Sequence, residues 1–270
     1  FDNKADLSMS IGAAIYFHPE AYTTSQPKLM GRNAAGESFL RAHFTYSCLD
    51  KFSVYATHQN HLSEFANAAR FYNRNEPIQA IQASNLSLLE NAGSLFYPGP
   101  LIGEIAFQRS YYGHHLWSIC GITHTTSSVS AMDSISAWMT TPVQPWDAVI
   151  CTSNYVKKNV EEILILQGQF LRERLGSTRT VLPQLPVIPL GIHTADFNFT
   201  HQQKVLARKS LGIDDDTIVV LYMGRLSFHA KAHPLAMYQA LEIAQDKTNS
   251  NVVLIECGWH ANGHIAKAFA

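Results

Sequence analysis

The sequence predicts an α/β protein built on parallel, doubly wound sheets. Short apolar segments alternate with longer segments whose apolar residues recur at helical spacing, and this alternation favours parallel strands joined by crossover helices. Pro183, Pro186 and Pro189 interrupt the pattern, and polar residues dominate from 198 to 216. The same alternation then starts again, so we predict two α/β units joined by a connection.

The first unit opens with an apolar strand at residues 10–17, a glycine-bearing loop at 31–36 and a helix over 37–44. Ser153 has the residue type of a helix N-cap for a helix that begins near Tyr155. Further strands are predicted at residues 52–56, 80–83, 117–122 and 148–152, and further helices at 62–72 and 129–139. These elements give the first unit the order expected of a doubly wound sheet.

The second unit is predicted to contain a strand at 218–223, a helix at 234–244 and a strand at 252–256. Domains of this kind usually take ~100–150 residues, so we expect this unit to continue beyond Ala270. The predicted organisation is a first domain over residues 1–185, a connection over 186–216 and a partial second domain over 217–270.

Composition restricts the classes of partner. With 20 basic and 21 acidic residues, the net charge is −1, so no whole-chain field favours nucleic acid, and any anion site must be local. The four cysteines are widely spaced without a CxxC pair, which favours free thiols in a reducing cytoplasm. No apolar run approaches the ~20 residues that span a bilayer. The sequence contains neither the GxSxG motif of α/β hydrolases nor the GxxxxGK[ST] loop of P-loop nucleotide triphosphatases, which argues against both classes of enzyme.

Two cations follow the strand predicted at 218–223. Arg225 comes directly after Gly224, and Lys231 lies six residues further on, at the sheet edge where open α/β sheets bind ligands. Opposite charges ~4 Å apart attract by about 4 kcal/mol at an effective dielectric constant near 20. The pair therefore suits a departing diphosphate, although the spacing alone also fits two solvated loop charges.

Three segments, in their order along the chain, carry a family resemblance. Residues 187–197 read Val-Ile-Pro-Leu-Gly-Ile-His-Thr-Ala-Asp-Phe, and residues 224–231 read Gly-Arg-Leu-Ser-Phe-His-Ala-Lys. Together with residues 147–153, they resemble the interdomain region of retaining glycosyltransferases of the GT-B type, family 4. Leu190, His193 and Ala232 depart from the family pattern.

The resemblance implies two Rossmann-like domains facing a cleft, with a nucleotide-diphosphate sugar as the donor and no metal or other cofactor. Arg225 and Lys231 would hold the donor diphosphate, and His124, in the segment Gly-Ile-Thr-His at 121–124, would contact the transferred sugar. The loop after the first strand would close over the donor phosphate, and its matching positions are Gly31, Ala35 and Gly36, with Arg32 adding charge. The family's E-x7-E motif is not present in this chain, so we expect little transfer from it alone.

The sequence is also compatible with two functions other than glycosyl transfer. A sugar-nucleotide epimerase of GT-B architecture would need no acceptor, and a non-catalytic module would bind a sugar or nucleotide without turnover. The loops at 18–28 and 97–112 are aromatic and polar enough for a carbohydrate or lipid-linked glycan acceptor. The expected location is the cytoplasm, with peripheral contact at the inner face of the membrane left open. Cys257, His260 and His264 are residue types that bind metal ions, but the sequence shows no fourth metal ligand.

Overall fold

The computed structural model describes residues 12–228, 231 and 233–269. The described chain forms two compact units. Unit 1 contains residues 12–24 and 32–191, and unit 2 contains residues 25–31 and the described residues of 192–269. Residues 10 and 11 of the first predicted strand, and the family departure at Ala232, lie outside the described residues.

Unit 1 is an α/β unit with a six-stranded parallel sheet. Its strands are β1 (Ala14–Tyr16), β2 (Phe52–Tyr55), β3 (Ile78–Ile81), β4 (Ser94–Phe96), β5 (Ser118–Thr123) and β6 (Ala148–Cys151). Their spatial order is β3-β2-β1-β4-β5-β6. The direction of chain progress reverses between β1 and β4, which gives the topological switch point of a Rossmann-like sheet.

Helices cover both faces of this sheet. They are α1 (Pro19–Tyr22), α2 (Gly31–Tyr46), α3 (Gln59–Phe71), α4 (Leu89–Ala92), α5 (Ile102–Ser110), α6 (Val129–Ser136) and α7 (Asn154–Leu175). Ile15 packs with α2 and α3 residues such as Phe44 and Phe65, whereas its neighbour Ala14 belongs to the cluster that includes Ile105 of α5. Successive strand residues point to opposite faces, so the alternation builds a core on each side.

The boundaries agree with the prediction at several places and differ at others. Ser153 caps α7, since its hydroxyl accepts a hydrogen bond from Val156 N at 3.1 Å. The predicted glycine-bearing loop at 31–36 is wrong, because α2 begins at Gly31 and includes this segment. The strand β4 and the helix α5 were not predicted, and α5 occupies much of the predicted loop at 97–112.

Unit 2 is a smaller α/β unit. It contains β7 (Ile218–Met223) and β8 (Val252–Cys257), paired in parallel, with α8 (His201–Leu211), α9 (Pro234–Thr248) and α10 (Gly263–Phe269). The helix α9 connects the two strands, and Tyr238 from α9 donates a hydrogen bond to Glu256 Oε2 of β8 at 2.8 Å. The helix α8 lies in a stretch that the sequence predicted as connection. Among the described residues, no helix combines the length and the apolar character needed to cross a bilayer.

We expect acid to lower the free energy of unfolding of unit 1, because His43 is largely enclosed in its folded state. Burial, with a smaller contribution from the charge of Arg74, lowers the pKa of His43 from 6.5 to about 4. The unfolded chain therefore takes up this proton first, so stability is fully present above about pH 6.5 and is lost as the pH falls towards 4. Urea titrations at about pH 7.5 and 4.5 should show His43 accounting for about 2–3 kcal/mol of the difference.

The variant His43→Gln should remove that part of the pH dependence, because glutamine takes up no proton in this range. The exposed His201 at the start of α8 provides the matched control, and His201→Gln should leave the wild-type pH dependence intact. Equal acid sensitivity in His43→Gln and wild type would contradict this assignment.

Candidate functional site

A cleft of about 450 Å³ opens in unit 1 beside the carboxyl ends of β1, β4 and β5. We call it the switch-point cleft, because ligands of open α/β sheets bind where the strand order reverses. Its lining residues are Tyr16, His18, Glu20, Ala21, Arg32, Tyr97, Pro98, Gly99, Pro100, Leu101, His124, Thr125, Ser128, Ser130, Ala131 and Ser134. The volume falls within the ~300–1,000 Å³ typical of small-molecule sites.

The cleft holds one close ion pair. Arg32, in the first turn of α2, places Nη2 2.6 Å from Glu20 Oε1, and both side chains are about half exposed. The neighbouring Asn33 donates a hydrogen bond from Nδ2 to the backbone oxygen of Glu20 at 2.6 Å, which ties α1 to α2. The pair adds little to stability at this exposure, but it leaves the positive charge of Arg32 compensated within the cleft.

His124 follows β5 and lines the same cleft. Burial, reinforced by the nearby charge of Arg32, lowers its pKa below the usual value of 6.5. The imidazole is therefore neutral at pH 7, with one nitrogen that donates and one that accepts. Its Nδ1 is enclosed and has no hydrogen-bond partner among the described residues. A neutral imidazole in the cleft lining suits a residue that orients a polar ligand.

Tyrosines form an aromatic side of the cleft. The ring centroid of Tyr16 lies 4.9 Å from that of Tyr97 and 5.1 Å from that of Tyr55, and the Tyr55 hydroxyl donates to Gln108 Oε1 at 3.2 Å. Burial, with the nearby Tyr16 and Glu104, raises the pKa of Tyr97 to about 12. Its phenol stays protonated at physiological pH and presents a neutral ring.

Hydroxyl groups line the cleft near the start of α6. Ser128 caps this helix, accepting a hydrogen bond from Ala131 N at 3.3 Å, and Thr125, Ser130 and Ser134 add further hydroxyls. The Ser134 hydroxyl also donates to the backbone oxygen of Ser130 at 2.7 Å. The cleft therefore combines an aromatic side with several neutral polar groups.

A second group of residues lies in unit 2, where β7 and β8 end. Gly224 and Gly258 approach so closely that a Cβ at residue 258 would lie 1.8 Å from the Gly224 oxygen. Gly224 also has φ +154, a conformation that favours glycine. Leu226 N donates to Trp259 O at 3.0 Å, so the chain segments that carry Arg225 and Trp259 run side by side.

Two cationic side chains of unit 2 lie near the ring of Trp259. Arg225 Cζ lies 5.9 Å and Lys28 Nζ 5.8 Å from the centroid of the Trp259 ring, both within cation–π range. The indole nitrogen donates to Leu29 O at 2.6 Å, which fixes the ring. Lys231 is exposed, and its backbone nitrogen donates to Ser227 O at 3.3 Å. Sequence reasoning named Arg225 and Lys231 as candidates and placed Lys28 in a predicted acceptor loop, but it did not single out Trp259, since an aromatic residue after a strand is not distinctive.

The predicted phosphate-binding positions of α2 have different surroundings. Gly31 is exposed, Ala35 is partly buried and Gly36 is buried. Of the described residues, Arg32 is the member of this segment that lines the switch-point cleft, whereas Ala35 and Gly36 do not line it. A Cβ at residue 36 would lie 1.9 Å from the backbone oxygen of Ala21. Packing against α1 therefore explains glycine at this position, and its role with a donor stays a prediction.

The variant Gly36→Ala should consequently lose stability. The added methyl group meets backbone, which cannot rotate away, so α1 and α2 must separate at a cost of about 2–3 kcal/mol. Urea titration measures this loss. Gly31→Ala is the matched control in the same helix, because a Cβ at residue 31 would meet no atom within 4 Å, and its stability should equal or slightly exceed that of wild type. Equal losses in both variants would contradict the packing argument.

Cys257, His260 and His264, which the sequence offered as possible metal ligands, all lie in unit 2. Within the described ranges, no group of three or more His, Cys, Asp or Glu side chains is arranged to hold a metal ion. All four cysteines carry free thiols. The geometry of the two units thus offers a charge-balanced polar cleft in unit 1 and a cationic strand end in unit 2.

Comparisons with known proteins do not assign this chain to a family. No family model matches the chain, and no match to it was found among curated proteins or solved structures.

Proposed function

We propose that the protein is a retaining glycosyltransferase of the GT-B type, which transfers a sugar from a nucleotide-diphosphate donor to an acceptor hydroxyl. The observation that carries the proposal is Arg225, a partly buried cation that follows the parallel strand β7 after one residue, Gly224, and lies within cation–π distance of Trp259. Such a guanidinium suits the diphosphate of a departing nucleotide, because Arg binds phosphate oxygens through paired hydrogen bonds.

In the proposed reaction, the acceptor oxygen forms a bond to the anomeric carbon on the face from which the diphosphate departs. The bond between that carbon and the diphosphate oxygen breaks, and the leaving group keeps the electron pair. The acceptor proton moves to the departing phosphate oxygen, so the step needs no further reactant. Arg225 and Lys231 stabilise the charge that develops on the diphosphate.

The remaining proposed roles concern position. His124 is neutral at pH 7 and orients the transferred sugar through hydrogen bonds. The proposed phosphate-binding positions Gly31, Ala35 and Gly36 lie in the first two turns of α2. Gly31 is exposed and lies outside the lining of the switch-point cleft, and the N–H groups offered to the donor phosphate are those of the first turn around it, because the first N–H groups of a helix lack partners within the helix. The acceptor is a carbohydrate or lipid-linked glycan that occupies the switch-point cleft.

The experiment is an assay of nucleoside diphosphate release by the full-length protein, with UDP-, GDP- and ADP-sugars, in the presence and absence of candidate glycan acceptors. We expect release that depends on the acceptor, and NMR of the product should show the anomeric configuration of the donor. A new nucleotide sugar formed from donor alone would instead establish an epimerase. Calorimetric binding of the donor without release or conversion would establish a binding module.

A further inference from the structure

Charge in the switch-point cleft is balanced within the cleft itself. Arg32 Nη2 lies 2.6 Å from Glu20 Oε1, and His124 is neutral at pH 7 because burial and Arg32 lower its pKa. A phosphate group that approached Arg32 would lie beside the Glu20 carboxylate, and like charges repel at such distances. Hydroxyl groups meet no such repulsion, so the charge pattern favours an uncharged polar ligand.

The aromatic side of the cleft is held rigidly enough to act as a platform. Tyr97 packs on Tyr16, which packs on Tyr55, and the Tyr55 hydroxyl is fixed by Gln108. The face of an aromatic ring is electron-rich, and it attracts the weakly positive C–H groups on the apolar face of a pyranose. Residues 98–101, with the sequence Pro-Gly-Pro-Leu, extend this side with weakly polar surface.

The other lining groups match the rim of a sugar ring. Thr125, Ser128, Ser130 and Ser134 place hydroxyl oxygens, which accept hydrogen bonds, in the lining, while the hydrogen of the Ser134 hydroxyl is already donated to the Ser130 backbone oxygen. The two oxygens of the Glu20 carboxylate offer about four acceptor positions. Arg32 occupies a position on Oε1, and the other positions can accept hydrogen bonds from a ligand. An apolar surface combined with a few polar groups is the usual composition of a specific small-molecule site.

From this combination we propose that the switch-point cleft binds a neutral pyranose, stacked on Tyr97, with its hydroxyls bonded to Glu20 and to the hydroxyl groups around the start of α6. The inference rests on the proposed function only in taking this sugar as the acceptor, since binding itself needs no donor. The pairing of Glu20 with Arg32 makes Glu20 the residue that discriminates against phosphorylated sugars.

The platform is tested by saturation-transfer NMR titration with four neutral probes: the methyl glycosides of glucose, mannose, galactose and N-acetylglucosamine. We expect at least one to bind, and Tyr97→Ala to weaken its binding about tenfold. Tyr97→Leu keeps an apolar side chain for folding but lacks the aromatic ring, and its affinity for the sugar should fall as much as that of Tyr97→Ala. Tyr97→Phe should bind within about twofold of wild type. Tyr46→Ala, at a tyrosine that is 77% exposed at the end of α2, should bind as wild type does.

The discrimination is tested with the best-binding sugar and its 6-phosphate. Wild type should prefer the neutral sugar about tenfold. Glu20→Gln frees the charge of Arg32, so affinity for the 6-phosphate should rise about tenfold and decline as salt is added. The double variant Glu20→Gln/Arg32→Gln should lose that gain. Binding of the 6-phosphate by wild type as tightly as the neutral sugar would overturn the proposal, as would full binding by Tyr97→Leu or the absence of binding by every neutral probe.

These outcomes separate this inference from the proposed function. Acceptor-dependent nucleotide release without binding of neutral sugars to the cleft would leave the transferase in place and overturn the neutral-pyranose site. Binding of neutral sugars that requires Tyr97, without nucleotide release from any donor, would support the site and overturn the transferase.

Discussion

Replacing Asp147 with alanine is expected to lower the free energy of unfolding of unit 1 by about 3–5 kcal/mol. Arg109 and Asp147 are both fully buried, with Nη1–Oδ1 and Nη2–Oδ2 distances of 2.6 and 2.7 Å. Asp147 also accepts hydrogen bonds from Ile119 N at 2.9 Å and Gln144 N at 2.8 Å. Its removal leaves a buried guanidinium without its counter-charge and two backbone donors without an acceptor. Urea titration followed by tryptophan fluorescence measures the loss, because Trp117 and Trp138 are buried in the same core.

The control is an ion pair at the surface. Glu161 lies 3.9 Å from Lys157 on α7 with both side chains exposed, and Glu161→Gln should cost only about 0.3–0.5 kcal/mol. The double variant Arg109→Met/Asp147→Leu should lose less than Asp147→Ala, because it removes both buried charges together. A loss in Asp147→Ala no larger than in Glu161→Gln would show that the buried pair is not the source of stability.

Replacing Arg225 or Lys231 with alanine is expected to slow nucleotide release about 10²–10³-fold in the full-length protein, if the diphosphate leaves as proposed. Removal of one preformed donor to a developing negative charge has effects of this size in other enzymes. Steady-state release of the nucleoside diphosphate gives kcat and KM separately. The loss should appear mainly in kcat, because the leaving group gains its charge in the transition state.

Two further variants make this result specific. Arg225→Lys keeps the charge but loses the paired hydrogen bonds of the guanidinium, so its rate should lie between those of wild type and Arg225→Ala. Lys247, an exposed cation in the last turn of α9, provides the control, and Lys247→Ala should leave the rate unchanged. Unchanged release in both Arg225→Ala and Lys231→Ala would refute the mechanism.

Strong local signals predicted much of the fold. Residues 218–223 form β7 as predicted, and the predicted helix and strand at 234–244 and 252–256 lie within α9 and β8. Short continuous apolar runs bounded by polar residues indicate buried strands, and apolar residues at helical spacing indicate the helix between them. The cap at Ser153 was predicted from residue type, since a serine before a helical pattern satisfies an N–H group of the first turn.

Weak local signals account for the missed elements. The strand β4 has three residues, too few for a period to be recognised, and it lies between other short elements. The prediction of a loop at 31–36 followed from two glycines, whereas Gly36 is required by the close approach of α1 to α2. Such an approach joins residues that are distant in the sequence, so no local pattern reveals it.

The sequence by itself determined the alternation of strands and helices, the balanced charge, and the position of Arg225 one residue after the end of a strand. These properties depend on the identity and spacing of neighbouring residues. Only the tertiary structure decided that β4 lies beside β1, that Tyr97 therefore packs against Tyr16, and that Glu20 neutralises Arg32 in the same cleft. Strand order and side-chain pairing arise from packing on both faces of the sheet, where contacts between distant segments outweigh local preference.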